Sequence, residues 1–167
     1  MTDVAVHSGP PLFALAAVVV AERDGEILLL KRAAGEMVGS WYLPGGAVDA
    51  GETVEEAARR ELFEESGLVA SGPLTCVAVS HFVAYGYEQL QVMYAAECPS
   101  GDVVLSHEHS GARWMPAETY RDRYFGDEVI ARFEQGDTRV YTMLTSIRAA
   151  LDAYLDWRRV RAGAAAR

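Results

Sequence analysis

Three glutamates on one predicted helix are the residues of this sequence that could carry chemistry. Glu61, Glu64 and Glu65 follow one another at spacings of three residues and one residue. At about 100° per residue these positions lie on one face of an α-helix, so the three carboxylates can reach a common point. Like charges so close together repel, which indicates that a cation binds there. Because the set offers only oxygen ligands, it suits Mg²⁺ or Mn²⁺.

The limits of this helix follow from signals at its two ends. Thr53 and Glu56 form a capping-box pair at the start, and Gly67 supplies a left-handed stop. We therefore expect a helix over residues 53–66.

An arginine lies beside the carboxylates. Arg60 can pair with Glu56 or Glu64 at i±4, which would hold a carboxylate in place instead of leaving it to swing. A run of glutamate and arginine on a helix is, however, more often only a solvated face. The acidic patch alone is therefore a weak signal.

A glycine-containing turn precedes the helix. In Leu43-Pro44-Gly45-Gly46 the two glycines allow close approach of the backbone, so a carbonyl in this turn could face the ion. The turn, the cap, the glutamate clusters and the terminal glycine are all consistent with one metal site on this helix. Their conjunction favours a metal-dependent phosphate site over a solvated face.

The whole stretch of residues 46–68 also fits one known pattern. It reads Gly-x5-Glu-x7-Arg-Glu-U-x-Glu-Glu-x-Gly-U, in which U is apolar, without a gap or a mismatch. With this complete box the chain resembles the Nudix hydrolases, and among them the MutT-like members, which split a nucleoside diphosphate from the group that it carries. The resemblance implies a Mg²⁺-dependent diphosphate hydrolase, with Mn²⁺ as an alternative ion. A nucleoside triphosphate pyrophosphohydrolase is the narrower expectation.

The resemblance also implies roles for single residues. It makes the carbonyl of Gly45 and the carboxylates of Glu64 and Glu65 metal ligands. Glu61 is implied as a ligand or as the general base, and the two roles stay open. Arg60 is expected to assist catalysis by holding a carboxylate, and Glu52 to support the site from the helix entrance.

A loop glutamate competes with Glu61 for the role of base. Glu108 lies shortly before Trp114, where MutT-like members carry a further acidic residue that contacts metal or assists the base. Glu108 is our candidate for a ligand or a base, and an exposed loop glutamate is the equal alternative. Its neighbours His107 and His109 could touch phosphate, although a lone loop histidine is more often merely exposed.

Substrate contacts are predicted from the turn and from aromatic residues. The backbone at Gly45 and Gly46 would lie against the phosphates. Aromatic residues that could stack on a base are Tyr85, Tyr87, Phe82 and Phe125, among which we select Tyr85 and Phe125. In strands, such residues pack into cores more often than they bind ligands.

Composition limits the class of protein. The chain has 167 residues and a formal charge of −9, which argues against nucleic acid or an anionic membrane as partner. We expect one domain over residues 1–160 and a disordered tail over 161–167. Only two cysteines are present, without metal-ligand spacing, which fits a reducing cytoplasm. The expected partner is a small phosphorylated substrate, such as a nucleotide, and a homodimer stays open.

The remaining pattern predicts an α+β fold. The apolar residues 12–21 are too few to span a bilayer and are read as a core strand, which the Asp24-Gly25 turn joins to the next strand. Residues 74–84 and 88–97 form a second hairpin, and 113–115 a short strand. Helices are expected over 127–134 and through an apolar stripe at Val140, Leu144, Ile147, Leu151 and Tyr154. The resemblance makes this an α/β/α sandwich around a mixed β-sheet.

Two other classes share the expected fold. A catalytically inactive nucleotide sensor would usually show a broken glutamate set, whereas this set is complete. An enzyme that acts on prenyl diphosphates, such as an isomerase, would use a cysteine acid and a degraded box. Both stay as alternatives to hydrolysis of a nucleotide.

Overall fold

A computed structural model of the chain describes residues 12–34, 37–84 and 86–165. Its strands are β1 (Ala14–Arg23), β2 (Glu26–Arg32), β3 (Trp41–Tyr42), β4 (Gly45–Ala47), β5 (Ser71–Ala84), β6 (Tyr87–Glu97) and β7 (His109–Pro116). Its helices are α1 (Val54–Ser66), α2 (Ala117–Phe125), α3 (Asp127–Glu134) and α4 (Thr138–Ala165).

The first two strands are joined by the turn that the sequence predicts. Asp24 and Gly25 have φ angles of 49° and 85°, which are the left-handed values that a tight hairpin turn requires. β1 begins two residues after the start of the predicted apolar run and ends two residues beyond it. The prediction of a core strand is confirmed.

The described strands form one mixed sheet. Its main path runs β3-β2-β1-β6-β5, while β4 pairs with β1 and β7 pairs with β2. β1 and β6 are parallel, and the other pairs are antiparallel. β4 carries the Gly45-Gly46 turn along β1, because Gly45 stands opposite Val18 in the register.

Alternation along β1 divides the core into two layers. Val18 and Val20 face α2, α3 and α4, whereas Ala17 and Val19 face α1. Successive strand residues point to opposite faces, so helices cover both sides of the sheet. The expected α/β/α sandwich around a mixed sheet is confirmed.

The apolar stripe of the last helix is also confirmed. Leu144, Ile147, Leu151 and Tyr154 are buried in the layer that α4 shares with the sheet, and Val140 packs partly against it. The helix continues to Ala165, so residues 161–165 are helical where the sequence suggested a disordered tail. Among the described residues, no helix is both long and apolar enough to span a membrane.

One helix was not predicted. α2 follows directly after Pro116 and starts without a side-chain cap. It buries Ala117, Tyr120 and Phe125, at spacings of three and five, which is not a regular helical stripe. The strand before it is also longer than expected, since it pairs with nearly all of β2.

Candidate active site

The helix α1 has both of the predicted end structures. The Thr53 hydroxyl accepts the N–H of Glu56 at 3.2 Å, and the Glu56 carboxylate accepts the N–H of Thr53 at 2.8 Å. Gly67 is left-handed with φ 70° and donates its N–H to the Phe63 carbonyl. Glu56 is thereby engaged at the cap, and Arg60 has no hydrogen bond to it among the described residues.

Arg60 donates hydrogen bonds to the carboxylates of Glu52, Glu61 and Glu64, and these four side chains form the carboxylate clamp. Its Nε and Nη2 donate to the two oxygens of Glu52, each at 2.9 Å. Its Nη1 donates to Glu61 at 2.7 Å and to Glu64 at 3.2 Å, and Nη2 also reaches the Ala47 carbonyl. These bonds raise the pKa of Arg60, and the same guanidinium lowers the pKa of Glu52. Arg60 therefore connects Glu52, just before the helix, to Glu61 and Glu64, two of the candidate metal ligands.

Glu65 is the buried carboxyl of the site. It is 6% exposed, and its Oε2 accepts the N–H of Gly45 at 2.8 Å. Burial raises the pKa of Glu65 to about 8, against the effect of that hydrogen bond, and the charges of Glu61 and Glu108 raise it further. A carboxyl so placed gains from a nearby cation, which would favour its charged form.

The glycine turn lies directly against the helix. A Cβ on Gly45, whose φ is 153°, would lie 2.3 Å from the Ala17 carbonyl oxygen. A Cβ on Gly46 would lie 2.6 Å from Glu61 Oε1. The contact at Gly45 is with the backbone of β1, so this position requires glycine, whereas a side chain at Gly46 would displace the Glu61 carboxylate. The turn thus packs closely on β1 and on Glu61, and the contact of its carbonyl with an ion stays a prediction.

The residues fit a divalent ion by their chemistry. Glu61, Glu64, Glu65 and the Gly45 carbonyl offer oxygen ligands alone, which Mg²⁺ and Mn²⁺ prefer. Burial raises the pKa of Glu61, and the charges of Glu64 and Glu108 add to this, so negative charge is concentrated here. Among the described residues no three such side chains converge at ligand distance, and the carboxylates of the helix are hydrogen-bonded to Arg60 and to the Gly45 N–H instead. The ligand set stays a prediction.

The loop before β7 brings Glu108 to this patch. Glu108 is exposed, and its carbonyl accepts the N–H of Ala33 at 2.7 Å. The N–H of Ser106 donates to the Glu65 carbonyl at 3.3 Å, which attaches the loop to α1. The charge of Glu108 raises the pKa of both Glu61 and Glu65, so its carboxylate lies close enough to act on theirs. Glu108 is therefore exposed, as the alternative reading expected, and it also lies near the carboxylates of Glu61 and Glu65.

One loop histidine is buried instead of exposed. The side chain of His109 is 6% exposed, and its Nε2 lies 3.7 Å from Glu65 Oε1. Its Nδ1 lies 3.3 Å from the Ser106 hydroxyl. Burial lowers the pKa of His109, and the nearby charge of Arg32 does the same, so the surroundings favour the neutral ring. The expectation of an exposed histidine is wrong for His109, whereas His107 is exposed.

A cavity of about 310 Å³ opens beside the glycine turn on the α4 side of the sheet. Its wall includes the backbone of Gly45 and Gly46. The apolar lining comes mainly from Val18, Phe82, Met143 and Ile147, and the polar lining from Arg32, Ser40, Tyr42, Gln89 and Gln91. A small ligand in this cavity would therefore meet both an apolar wall and the turn that contacts Glu65.

The aromatic candidates divide among different places. Phe82 lines the cavity. Phe125 does not, because it is 5% exposed and packs edge-to-face on Tyr120, with ring centroids 5.5 Å apart. Its selection as a substrate contact is corrected to a core position. Tyr87 is 68% exposed at the start of β6 and is not part of the cavity wall, and Tyr85 lies outside the described residues.

The polar residues of the cavity wall were not predicted as site residues, and three of them have notable hydrogen-bonding states. Arg32, at the end of β2, has a buried Nε with no hydrogen-bond partner among the described residues. Tyr42 and Gln91 are hydrogen-bonded to each other. One sequence signal could have identified Gln91 as a site residue: it is a polar residue at a core-facing position of β6, two residues from the fully buried Met93.

Fold and site together define an α/β/α protein in which a capped acidic helix faces a glycine turn. The sequence of residues 12–133 matches the NUDIX domain, about three quarters of the chain. The chain therefore belongs to the Nudix family.

Relatives and solved structures agree with this assignment. The 8-oxo-dGDP phosphatase of Homo sapiens is 34% identical over 108 residues, which are 65% of this chain and 32% of that protein. The ADP-ribose pyrophosphatase of Methanocaldococcus jannaschii is 52% identical over 50 residues, 30% of each chain. This chain thus spans about a third of the length of these relatives. The MutT protein of Methanosarcina mazei Go1 shares the fold, with a TM-score of 0.66 and 22% identity over 90% of this chain and 99% of that one.

Proposed function

We propose that this protein is a divalent-metal-dependent hydrolase that cleaves the diphosphate bond of a small nucleoside diphosphate derivative. The observation that carries the proposal is the position of Glu65. Its buried carboxyl contacts the Gly45 turn, and that turn forms the wall of the cavity. A phosphate chain that leaves the cavity along the turn would reach the carboxylates without crossing a side chain at Gly45 or Gly46.

Charge explains why a metal ion belongs to the proposal. A diphosphate and a group of four glutamates repel each other, and the protein as a whole carries a formal charge of −9. Glu64, Glu65, the Gly45 carbonyl, and either Glu61 or Glu108 would hold the ion. When bound, the ion screens the phosphate charge and lowers the pKa of a coordinated water.

The chain's own residues have separate tasks. Arg60 positions Glu61 and Glu64, because one guanidinium binds both and is itself fixed by the two oxygens of Glu52. Glu61 or Glu108 takes the proton of the attacking water. Glu61 is held by Arg60, whereas Glu108 is exposed and free of that constraint, so the pH profile of each variant can separate the two roles.

Arg32 is proposed as a phosphate contact. It lines the cavity together with Gly45 and Gly46, and its Nε lacks a hydrogen-bond partner among the described residues. A buried donor of this kind costs free energy unless a ligand oxygen accepts from it. Guanidinium groups bind phosphate oxygens in a fixed geometry, which suits this place.

The substrate is proposed only as a class. The relatives named above are called an 8-oxo-dGDP phosphatase and an ADP-ribose pyrophosphatase, so the family likeness does not select one leaving group. A nucleoside triphosphate is one member of the class. The complete glutamate set supports a hydrolase over an inactive sensor, and the negative charge supports a small substrate over nucleic acid or a membrane surface.

The test is a substrate panel with and without metal. Nucleoside triphosphates including oxidised ones, ADP-ribose, sugar nucleotides, dinucleoside polyphosphates and prenyl diphosphates are assayed for phosphate-containing products in Mg²⁺, in Mn²⁺ and in excess EDTA. We expect hydrolysis of at least one nucleotide, with loss of activity in EDTA. Full turnover in EDTA would contradict the proposal.

Two variants make the test specific to the site. Glu65→Gln keeps the size and the acceptor for Gly45 but removes the charge, and it should lower kcat by about two orders of magnitude or more. Glu55→Gln is the matched control, because Glu55 is exposed on the same helix and pairs with Arg59. Equal activity of the two variants would place the metal elsewhere.

A further inference from the structure

The buried side-chain amide of Gln91 forms part of the cavity wall. Gln91 lies on β6, the strand between β1 and β5, opposite Ala16 on one side and Ser80 on the other. It is 5% exposed, although it lines the cavity. The next position on this face is the fully buried Met93. A carboxamide at a core position of a central strand is costly unless its hydrogen bonds are made.

Its contacts within the protein do not use the whole group. The Tyr42 hydroxyl lies 3.1 Å from Gln91 Oε1 and 3.0 Å from Nε2. A carboxamide has two donor hydrogens and an oxygen with two lone pairs, whereas one hydroxyl can engage only part of this set. Among the described residues, the Gln91 side chain forms hydrogen bonds with Tyr42 alone. The amide therefore keeps both donor and acceptor capacity for a ligand.

The remaining wall suits a flat ring. Phe82, Met143 and Ile147 supply apolar surface around the amide, and Gln89 adds a second carboxamide two residues along the same strand. Apolar walls with a few placed polar groups bind planar ligands that have a polar edge. A prenyl chain has no polar atom for Gln91 and would leave the amide without a ligand partner.

We propose that Gln91 determines specificity by hydrogen-bonding the edge of the substrate's base, and that Tyr42 is a positioning residue that fixes the plane of its amide. This inference rests on the proposed function, since it assumes that the cavity takes the nucleoside and that the phosphates run along the Gly45 turn. It selects nucleoside diphosphate derivatives over prenyl diphosphates as the substrate class.

The first experiment compares bases. kcat and KM are measured with Mg²⁺ for ATP, GTP, CTP and UTP, on the wild type and on Gln91→Met, which keeps the length of the side chain and removes its hydrogen bonds. We expect KM for the preferred nucleotide to rise about tenfold, with kcat within about threefold, and the preference among bases to shrink by a similar factor. Gln135→Met is the matched control, because Gln135 is exposed at the end of α3 and is not in the cavity wall.

The second experiment tests the positioning role. Tyr42→Phe removes only the hydroxyl and should raise KM less than Gln91→Met does. In the double variant the two effects should not add, because the hydroxyl acts through the amide. Thermal unfolding of each variant accompanies the kinetics. A purely structural role would lower the melting temperature without changing the ratio of kcat/KM between bases.

A binding measurement separates this inference from the proposed function. Calorimetric titration with AMP, GMP, CMP and UMP in Mg²⁺ needs no turnover. Preferential binding of one base, reduced about tenfold in Gln91→Met, would support Gln91 even if no substrate were hydrolysed. Hydrolysis with unchanged KM and unchanged base preference in Gln91→Met would overturn the inference and leave the proposed function intact. Failure of the wild type to prefer any base in either assay would also overturn it.

Discussion

Replacing Glu65 with glutamine should remove a large part of the pH dependence of stability in the metal-free protein. The carboxyl of Glu65 is buried, and it lies near the charges of Glu61 and Glu108. These surroundings disfavour its ionised form in the native state, while the unfolded chain leaves it in water. Glutamine has no charge to bury, and its oxygen can still accept the N–H of Gly45.

The sign and size follow from the pKa. Glu65 ionises near its ordinary value of 4.5 when unfolded and near 8 when native. Between these values the native state holds the extra proton, so the stability present below the unfolded pKa is lost as pH rises through the native one. At about 1.4 kcal/mol for each pKa unit, the loss has an upper bound of about 5 kcal/mol. Because Glu61 titrates beside Glu65 and shares the cost, we expect roughly half of this.

Urea unfolding in EDTA between about pH 5 and pH 9 measures the effect. The wild type should lose stability with rising pH, Glu65→Gln should lose much less, and the two should converge at the acidic end. Glu55→Gln, on the exposed side of the same helix, should follow the wild type. The reasoning is refuted if wild-type stability stays constant within about 0.5 kcal/mol over this range, or if Glu65→Gln declines as steeply as the wild type.

Variants at three other residues test the rest of the site. Glu108→Gln should lower kcat strongly with little change in KM and displace the acidic limb of the pH–rate profile; wild-type kcat with an unaltered limb would leave Glu61 as the base. Arg60→Met should lower the free energy of unfolding by about 1–3 kcal/mol in urea titrations, because Glu52 and Glu61 lose their partner. Addition of Mg²⁺ should recover part of this loss. A change below about 0.5 kcal/mol would show that the hydrogen bonds of Arg60 do not stabilise the fold. Arg32→Met should raise KM about tenfold, and Arg32→Lys should recover part of this by charge alone; an unchanged KM in steady-state assays would remove Arg32 from the phosphate site.

Local signals made the helix α1 predictable. Its start, its end and the face that carries its glutamates depend on residues within one or two turns of each other. Thr53, Glu56 and Gly67 form hydrogen bonds with residues close to them in the sequence, and the backbone conformation sets the geometry of these bonds. The hairpin at Asp24-Gly25 was predictable for the same reason, because only a few residues tolerate its φ angles.

Contacts between distant segments could not be read in this way. The sequence offered Glu56 and Glu64 as partners of Arg60, but Glu52, eight residues away, makes the two-oxygen contact. Phe125 suggested a ligand contact from its type, and the fold placed it against Tyr120 in the core. The contact of Glu52 depends on how the segment before α1 packs, and the position of Phe125 depends on how α2 packs. Residue spacing along the chain encodes neither.

The sequence by itself determined the family, the capped acidic helix and the glycine turn, because each is built from neighbours along the chain. Only the tertiary structure decided that His109 lies buried beside Glu65 and that Tyr42 meets Gln91 across 49 residues. The first pair joins the helix α1 to β7, and the second joins β3 to β6, which are not neighbours in the sheet. Both depend on the strand register and on how the helices pack across the whole sheet. The carboxylate patch is therefore a property of one helix, whereas the cavity beside it is a property of the complete fold.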